Sequence, residues 1–490
     1  MRSKVELIAY ADRFGGDLAG LRVLLSGPLQ GLFGGVHVLP FYRPFDGADA
    51  GFDPQDHTEV DPRLGSWGDI ATLSAEYRVM ADMIVNHVSS SSPQFQDWLA
   101  KGQVSQFAGM FLTYGTTFPA GATEDTLMRL YRPRPGLPFT PYAFSDDRKT
   151  LVWTTFTPQQ IDVDVHHPTT RAYLLTVLDK LAEAHVAYVR LDAVGYAVKT
   201  PGLTSFMTPE TFEFIDEVTA WCHERDLEVL VEVHSHYLRQ VEIARQVDYV
   251  YDFALPPLVL HALTAADASP LLTWLQHRPP NAVTVLDTHD GIGVIDVGPD
   301  PTDHTRPGLL GPGQLARLVE TIHANSGGTS RLATGAAAAN VDLYQVNCTF
   351  YDALGRDDDR YLLARALQFW TPGTPQVYYV GLLAGSNDMD LLARTRVGRD
   401  VNRHYYTTAE IDTDLAQPVV QALGRLIRFR NTHPAFEGHL TCSGRPSSIT
   451  MKWARDDDEA VLDANLAAGS AEVTWTENGT RRHAPLASLP

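Results

Sequence analysis

Short runs of β-branched and aromatic residues recur along the chain. Each is followed by a polar or Gly/Pro-containing turn and then by a helical pattern. Such runs begin at Val5, Gly35, Met80, Tyr188, Glu228, Tyr249, Val283 and Pro375. Several of the intervals carry apolar residues three and four apart, the spacing of one helix face. Tyr173, Val177, Leu178 and Leu181 share a face between Thr169 and His185. Thr208 and Pro209 read as a cap and a first-turn proline, after which Phe212, Ile215, Val218 and Cys222 form a stripe. Eight strands alternating with helices predict an α/β fold, a (β/α)8 TIM barrel; a doubly wound sheet has similar local patterns, but the count favours the barrel.

Two intervals are too long for simple crossovers. Residues 86–167, rich in Phe, Tyr, Pro and Gly, and residues 296–359 are expected to be inserted, loop-rich domains at the C-terminal face. The second is expected to hold a short helix near Gln314 to Asn325 and a small-residue loop from Ala333 to Ala339. The barrel is then discontinuous, built from residues 1–85, 168–295 and 360–432. Pro418 to Arg430 is helical, with Val419, Leu423, Leu426 and Ile427 on one side. Residues 433–490 alternate in strand fashion and predict a small C-terminal β domain. The acidic runs Asp357–Asp359 and Asp456–Asp458 read as solvated turns.

A formal charge of −20, from 39 basic and 59 acidic residues, argues against nucleic-acid and anionic-membrane surfaces. Cys222, Cys348 and Cys442 lie far apart and suit neither a disulfide framework nor a zinc site. With no cleavable leader pattern and no apolar run of membrane-spanning length, a cytoplasmic location is expected.

Candidate chemistry lies at strand ends, where barrels place it. Arg190 and Asp192 fall on one strand face, and a neighbouring guanidinium is expected to keep Asp192 ionised, as a nucleophile requires. Glu232, between Val231 and Val233, is expected to favour its neutral form and to serve as a proton donor. Asp290 ends the seventh strand segment. Two carboxyl groups with opposed tendencies are the parts of a retaining glycosidase-type reaction. Asp162-x-Asp164 with His166-His167 reads either as a metal cluster or as a polar loop.

Arg190-x-Asp192, Glu232, His289-Asp290 and Asp82 to His87 resemble the conserved regions of the α-amylase family, glycoside hydrolase family 13. Phe45 to Pro54, Tyr131 to Phe139, Glu232 to Ser235 and Asp342 to Asn347 are similar to the branch of that family that cleaves sucrose with phosphate. The likeness runs from Val5 to about Asn431. It implies a glucosyl transfer with Asp192 as nucleophile, Glu232 as acid/base and Asp290 as transition-state stabiliser. Sucrose and inorganic phosphate would give α-glucose 1-phosphate and fructose, without a cofactor or a metal. It further implies sugar contacts from Asp49, Phe52, His87, Gln160, Arg190, Tyr196, His289 and Arg399, and fructose contacts from Asp342 and Gln345. Phosphate would meet Arg134, His234 and Tyr344. Related phosphorylases of glucosylglycerol, glucosylglycerate or sucrose 6'-phosphate are the alternatives, followed by a glucosidase or transglucosidase. A homodimer is left open.

Overall fold

The alternation of β-branched runs and amphipathic helices closes on itself. The computed structural model describes residues 4–47, 49–133, 136–300, 305–336, 345–477 and 479–490. Eight parallel strands form a closed barrel: β1 (Glu6–Ala9), β2 (Gly35–Val38), β3 (Arg78–Ile84), β4 (Tyr188–Asp192), β5 (Glu228–Val231), β6 (Tyr249–Asp252), β7 (Ala282–Thr284) and β8 (Thr374–Tyr378). β1 seals against β8, with Glu6 beside Gln376 and Ile8 beside Tyr378. The predicted strands are all present, and β3 differs most at its start, which lies at Arg78 rather than Met80.

Alternate side chains point into the barrel. At its N-terminal end the Tyr188 hydroxyl donates to Glu6, which also accepts from Gln376 Nε2 at 2.9 Å. One layer higher lie His37, Asp82, Arg190 and Tyr251, with Asp82 beside Arg190 in the β3–β4 register. Asp192, two residues beyond Arg190, therefore stands at the mouth. The polar layers form a closed stack beneath it.

Helix α1 (Pro168–Glu183) precedes β4, and α2 (Pro209–His223) follows it. The Thr208 hydroxyl caps α2 by accepting from Thr211 N at 3.4 Å. Its buried stripe contains Phe214 with Ile215, Val218 and Cys222, whereas Phe212 is half-buried. The first acidic run starts a helix and is not a solvated turn: Asp357 caps α3 (Asp358–Trp370) by accepting from Arg360 N at 3.0 Å. Carboxylates are favoured there by the helix dipole. The second run does lie at a turn, between strands of the C-terminal sheet.

The segment after β3 carries a ladder of His87–Ser89 with Gln160–Asp162 and a hairpin of Phe139–Ala143 with Lys149–Trp153. After β7, Ile292–Gly293 pairs with Gln345–Val346, and helices span Pro312–Asn325 and Thr329–Ala336. Ala333 to Gly335, expected as the start of a loop, thus belongs to a helix, held by the packing of buried Ala333 on Leu392 and Val401, while residues 337–339 lie outside the described residues. α4 (Pro418–Thr432) completes the barrel's outer layer.

The tail is a five-stranded antiparallel sheet in sequence order: β9 (His439–Arg445), β10 (Ser448–Arg455), β11 (Asp458–Asn465), β12 (Ser470–Glu477) and β13 (Thr480–Pro485). Ile449, Met451 and Trp453 alternate inward along β10. Trp453 Nε1 donates to the Trp370 carbonyl at 2.7 Å, and Trp370 Nε1 donates to the Ala460 carbonyl at 3.3 Å, tying the sheet to α3. The three cysteines are free thiols. No described helix is long and apolar enough to cross a membrane.

Candidate active site

Three neighbouring strands, β3, β4 and β5, bring carboxyl groups to one guanidinium. Arg190 Nη1 donates to Asp82 Oδ1 at 2.5 Å and to Asp192 Oδ1 at 2.9 Å, while Nη2 lies 3.8 Å from Glu232 Oε1. Asp82 also accepts from His37 Nε2 at 2.9 Å. Burial pushes Asp82 up, yet His37 and Arg190 outweigh it and hold the carboxyl below its ordinary range. Ala193, directly after Asp192, adopts φ 54° and turns the chain away from the strand, so the carboxylate ends the layer.

Asp192 departs from the expectation that Arg190 alone keeps it ionised. Burial pushes its carboxyl well up, Arg190 pulls against that, and the nearby charges of Glu232 and Asp82 push further. Arg190 is already committed to Asp82, so its pull on Asp192 is shared. Asp192 is therefore harder to ionise than an isolated carboxyl, and it shares Arg190 with both Asp82 and Glu232. Nor is Glu232 surrounded only by valines, since Arg190 and His234 Nε2, at 3.7 Å, both approach it. Asp192, Glu232 and Asp290 keep 14, 12 and 12 % of their side chains exposed, whereas Asp82 is sealed at 0 %. The partly open three are the ones able to meet a ligand.

A second charge cluster faces them. Arg399 donates from Nη1 to Asp290 and from Nη2 to Asp49 Oδ1 at 2.8 Å. Behind it, buried Arg403 places Nη2 3.7 Å from Asp290 and Nη1 3.9 Å from Asp49, and its Nε donates to the His289 carbonyl at 2.8 Å. Burial pushes Asp290 up, but His289, Arg399 and Arg403 hold it well below its ordinary range. At neutral pH the two arginines carry this effect, because burial lowers His289 itself to about 3. Phe52 stacks on His289 at 4.6 Å and 9°, giving a flat wall.

His87 Nε2 meets the Phe52 carbonyl at 2.9 Å and Gln160 Nε2 at 3.1 Å. Its ring packs edgewise on Phe156 at 5.5 Å, which in turn packs on Tyr196 at 5.1 Å. Tyr131, Phe156 and Tyr196 help to line a cavity of about 230 Å³ that reaches Lys199. Lys199 and Asp162 form a sealed ion pair at 2.8 Å, and Asp162 also accepts from Thr155 N at 2.9 Å. Asp162 is therefore a buried anchor, while His167 caps α1. His234, stacked on Phe253, completes the remaining side with Gln345 Nε2 at 3.3 Å.

The structure thus brings together Asp49, Phe52, His87, Gln160, Arg190, Asp192, Tyr196, Glu232, His234, His289, Asp290, Gln345 and Arg399 around one mouth. Arg134, Asp342 and Tyr344 lie outside the described residues. Glu232, His234 and Asp290 bring donor atoms within 4.8 Å of one another, the one such grouping among the described residues. Each is already engaged, by Arg190, Asp296 and Arg399 respectively. Sequence reasoning missed His37, Asp296 and Arg403 as parts of this machinery, and it named Asp82 only as the start of a family-like segment, without a role. For Arg403 a signal existed: it lies four residues after Arg399, just past a short 3-10 helix (Gly398–Asn402).

A family model described as the alpha-amylase catalytic domain matches residues 10–264. A sucrose phosphorylase of Agrobacterium vitis is 56% identical over 476 residues, 97% of each chain. One from Bifidobacterium adolescentis is 55% identical, covering 94% of this chain and 92% of that one. The crystal structure of a sucrose 6F-phosphate phosphorylase from Thermoanaerobacter thermosaccharolyticum superposes with a TM-score of 0.90 at 36% identity, covering 99% of both chains. Barrel, carboxylates and relatives agree, and the chain belongs to the α-amylase family.

Proposed function

We propose that the protein is a glycosyltransferase that cleaves sucrose with inorganic phosphate, giving α-glucose 1-phosphate and fructose. The observation that carries the reading is the pair Asp192 and Glu232, standing at the ends of adjacent strands over one shared guanidinium. A retaining double displacement needs that complement: one carboxylate to attack, one carboxylic acid to protonate.

Asp192 attacks the anomeric carbon as the bond to the fructosyl oxygen breaks, and Glu232 gives its proton to that oxygen. A phosphate oxygen then attacks the same carbon, the ester to Asp192 breaks, and Glu232 takes the phosphate's proton. Two inversions leave the α configuration. Asp290, held ionised by arginines, stabilises the positive charge that develops on the ring in both steps. Asp49, Phe52, His87, Gln160, Arg190, Tyr196, His289 and Arg399 hold the glucosyl unit, with Phe52 and Tyr196 as apolar faces. His234 and Gln345 serve the acceptor side, together with Arg134, Asp342 and Tyr344.

An anionic acceptor fits the charge of His234. Burial lowers the ring's proton affinity, but Asp296, Glu232 and Asp290 outweigh it and raise it above the ordinary histidine value. The boundaries 86–167, 296–359 and 433–490 for the appended domains, a cytoplasmic location and a homodimer belong to the same reading; light scattering on the purified protein decides the last. Incubation with sucrose, with and without phosphate, tests the function. Glucose 1-phosphate formed only with phosphate is expected; turnover of sucrose 6'-phosphate or glucosylglycerol in place of sucrose would assign the protein to a sister activity.

A further inference from the structure

His234 follows Glu232 by two residues at the end of β5, and its ring is fixed by stacking on Phe253 at 3.8 Å and 15°. Its Nδ1 donates to Asp296 Oδ2 at 2.9 Å. The other oxygen of Asp296 accepts from Ser235 N at 3.1 Å and from Gln240 Nε2 at 2.9 Å. Asp296 is fully buried and bonded through both oxygens, so this carboxylate is held still. A carboxylate cannot donate, and it therefore requires the proton to sit on Nδ1.

The opposite nitrogen, Nε2, faces the site. It lies 3.7 Å from Glu232 Oε1 and 3.3 Å from Gln345 Nε2. Gly291 N donates to Gln345 Oε1 at 3.3 Å, which orients the amide so that its NH2 group meets His234. That contact needs a lone pair on Nε2, hence a neutral ring. The surrounding carboxylates of Asp296, Glu232 and Asp290 favour a second proton on the same atom. Two opposite demands thus meet at one nitrogen, and the position of Gln345 decides between them.

We propose that Asp296 is a positioning residue for the acceptor half of the reaction, holding His234 so that Nε2 accepts from Gln345 in one arrangement and donates to an anionic acceptor oxygen in the other. The inference rests on the phosphorolysis reading above. The second proton exchanges with solvent, and no bond other than N–H is made or broken. Asp296 itself touches neither substrate. It acts by keeping Nδ1 protonated, so that every change of state falls on Nε2.

The test is Asp296→Asn, read in two ways. By NMR of ring-labelled histidine, wild-type His234 should carry its proton on Nδ1 and take up a second proton when inorganic phosphate is added; in the variant its titration should move to lower pH. In steady state the variant should raise KM for phosphate about ten- to a hundredfold, the loss of one charge-assisted hydrogen bond, with a much smaller change in KM for sucrose. In a His234→Gln background the same substitution should add little. Equal losses on sucrose and phosphate, full additivity with His234→Gln, or an unmoved His234 titration would overturn the proposal. Should Asp296→Asn fail to fold, the wild-type titration still decides, since a His234 ring that stays neutral from pH 6 to 8 with saturating phosphate contradicts it. Absence of glucose 1-phosphate from the wild-type protein would instead overturn the phosphorolysis reading, leaving the substrate-free NMR result to judge Asp296.

Discussion

Arg190 and Asp192 do not form an exclusive pair: the nitrogen that donates to Asp192 at 2.9 Å donates to Asp82 at 2.5 Å. The guanidinium is a junction between a sealed barrel carboxylate and a reactive one. Lysine offers a single point of charge and cannot span Asp82, Asp192 and Glu232 together. Arg190→Lys should lower kcat about 10²- to 10³-fold, in the range of a lost preorganised donor. Stopped assays of fructose release check this, and an unchanged kcat would remove Arg190 from its central place.

Asp192→Asn should abolish glucosyl transfer and also make the protein more stable at neutral pH. The sign follows from the raised carboxyl of Asp192. Its unfolded form loses the proton near pH 3.9. The folded form keeps it to higher pH, so stability falls as pH rises from about 4 through the folded value. The amide has no proton to lose. Melting curves at pH 5 and pH 7.5 should show a smaller decline for the variant, whereas a parallel decline would contradict the linkage.

Arg403 supports two carboxylates without reaching the open site, being 1 % exposed itself. Arg403→Ala removes charge behind both Asp49 and Asp290. Stability should fall by about 3–5 kcal/mol, the usual result of unpairing buried charge. In Arg403→Lys, which keeps the charge but not the Nε contact to His289, KM for sucrose should rise. Denaturation and sucrose saturation curves distinguish the two effects.

Lys199 and Asp162 are sealed together beneath the inserted segment, with side chains 1 % and 0 % exposed. Burial lowers the lysine's proton affinity and Asp162 pulls against it, while Lys199 also donates to Asn86 Oδ1 at 2.9 Å and to the Tyr196 carbonyl. Lys199→Met should cost about 3–5 kcal/mol, while the double variant with Asp162→Asn should recover much of that. Unfolding in urea provides the measurement.

The parts of this machinery that end strands were legible in the chain. Asp192, Glu232 and Asp290 follow β-branched runs, and a barrel has one chemically active face. Asp49 and Arg399 carry no such mark, and only the likeness to a family picked them out. Asp296 and Arg403 escaped notice because their partners lie far off in sequence: Asp296 binds His234, 62 positions away, and Arg403 binds the His289 carbonyl, 114 away. The balance of forces on Asp192 is hidden in the chain for the same reason. Arg190 is visible two residues away, but Asp82, which divides its guanidinium, sits on the neighbouring strand. At Ala333 to Gly335 a composition of small residues suggests a loop, and packing of Ala333 against Leu392 and Val401, distant in sequence, makes it helical instead.

The junction of β1 with β8 bears on how the chain is made. Glu6 contacts Gln376 across 370 positions, and Val5 N donates to Asn431 at a separation of 426. During synthesis the first strand leaves the ribosome long before its partner exists. Until then its edge stays open, a surface on which another chain can pair. Barrel closure is consequently a late event in the life of the nascent protein, and truncated versions ending before Thr374 should be captured by chaperones or aggregate rather than persist as partial barrels.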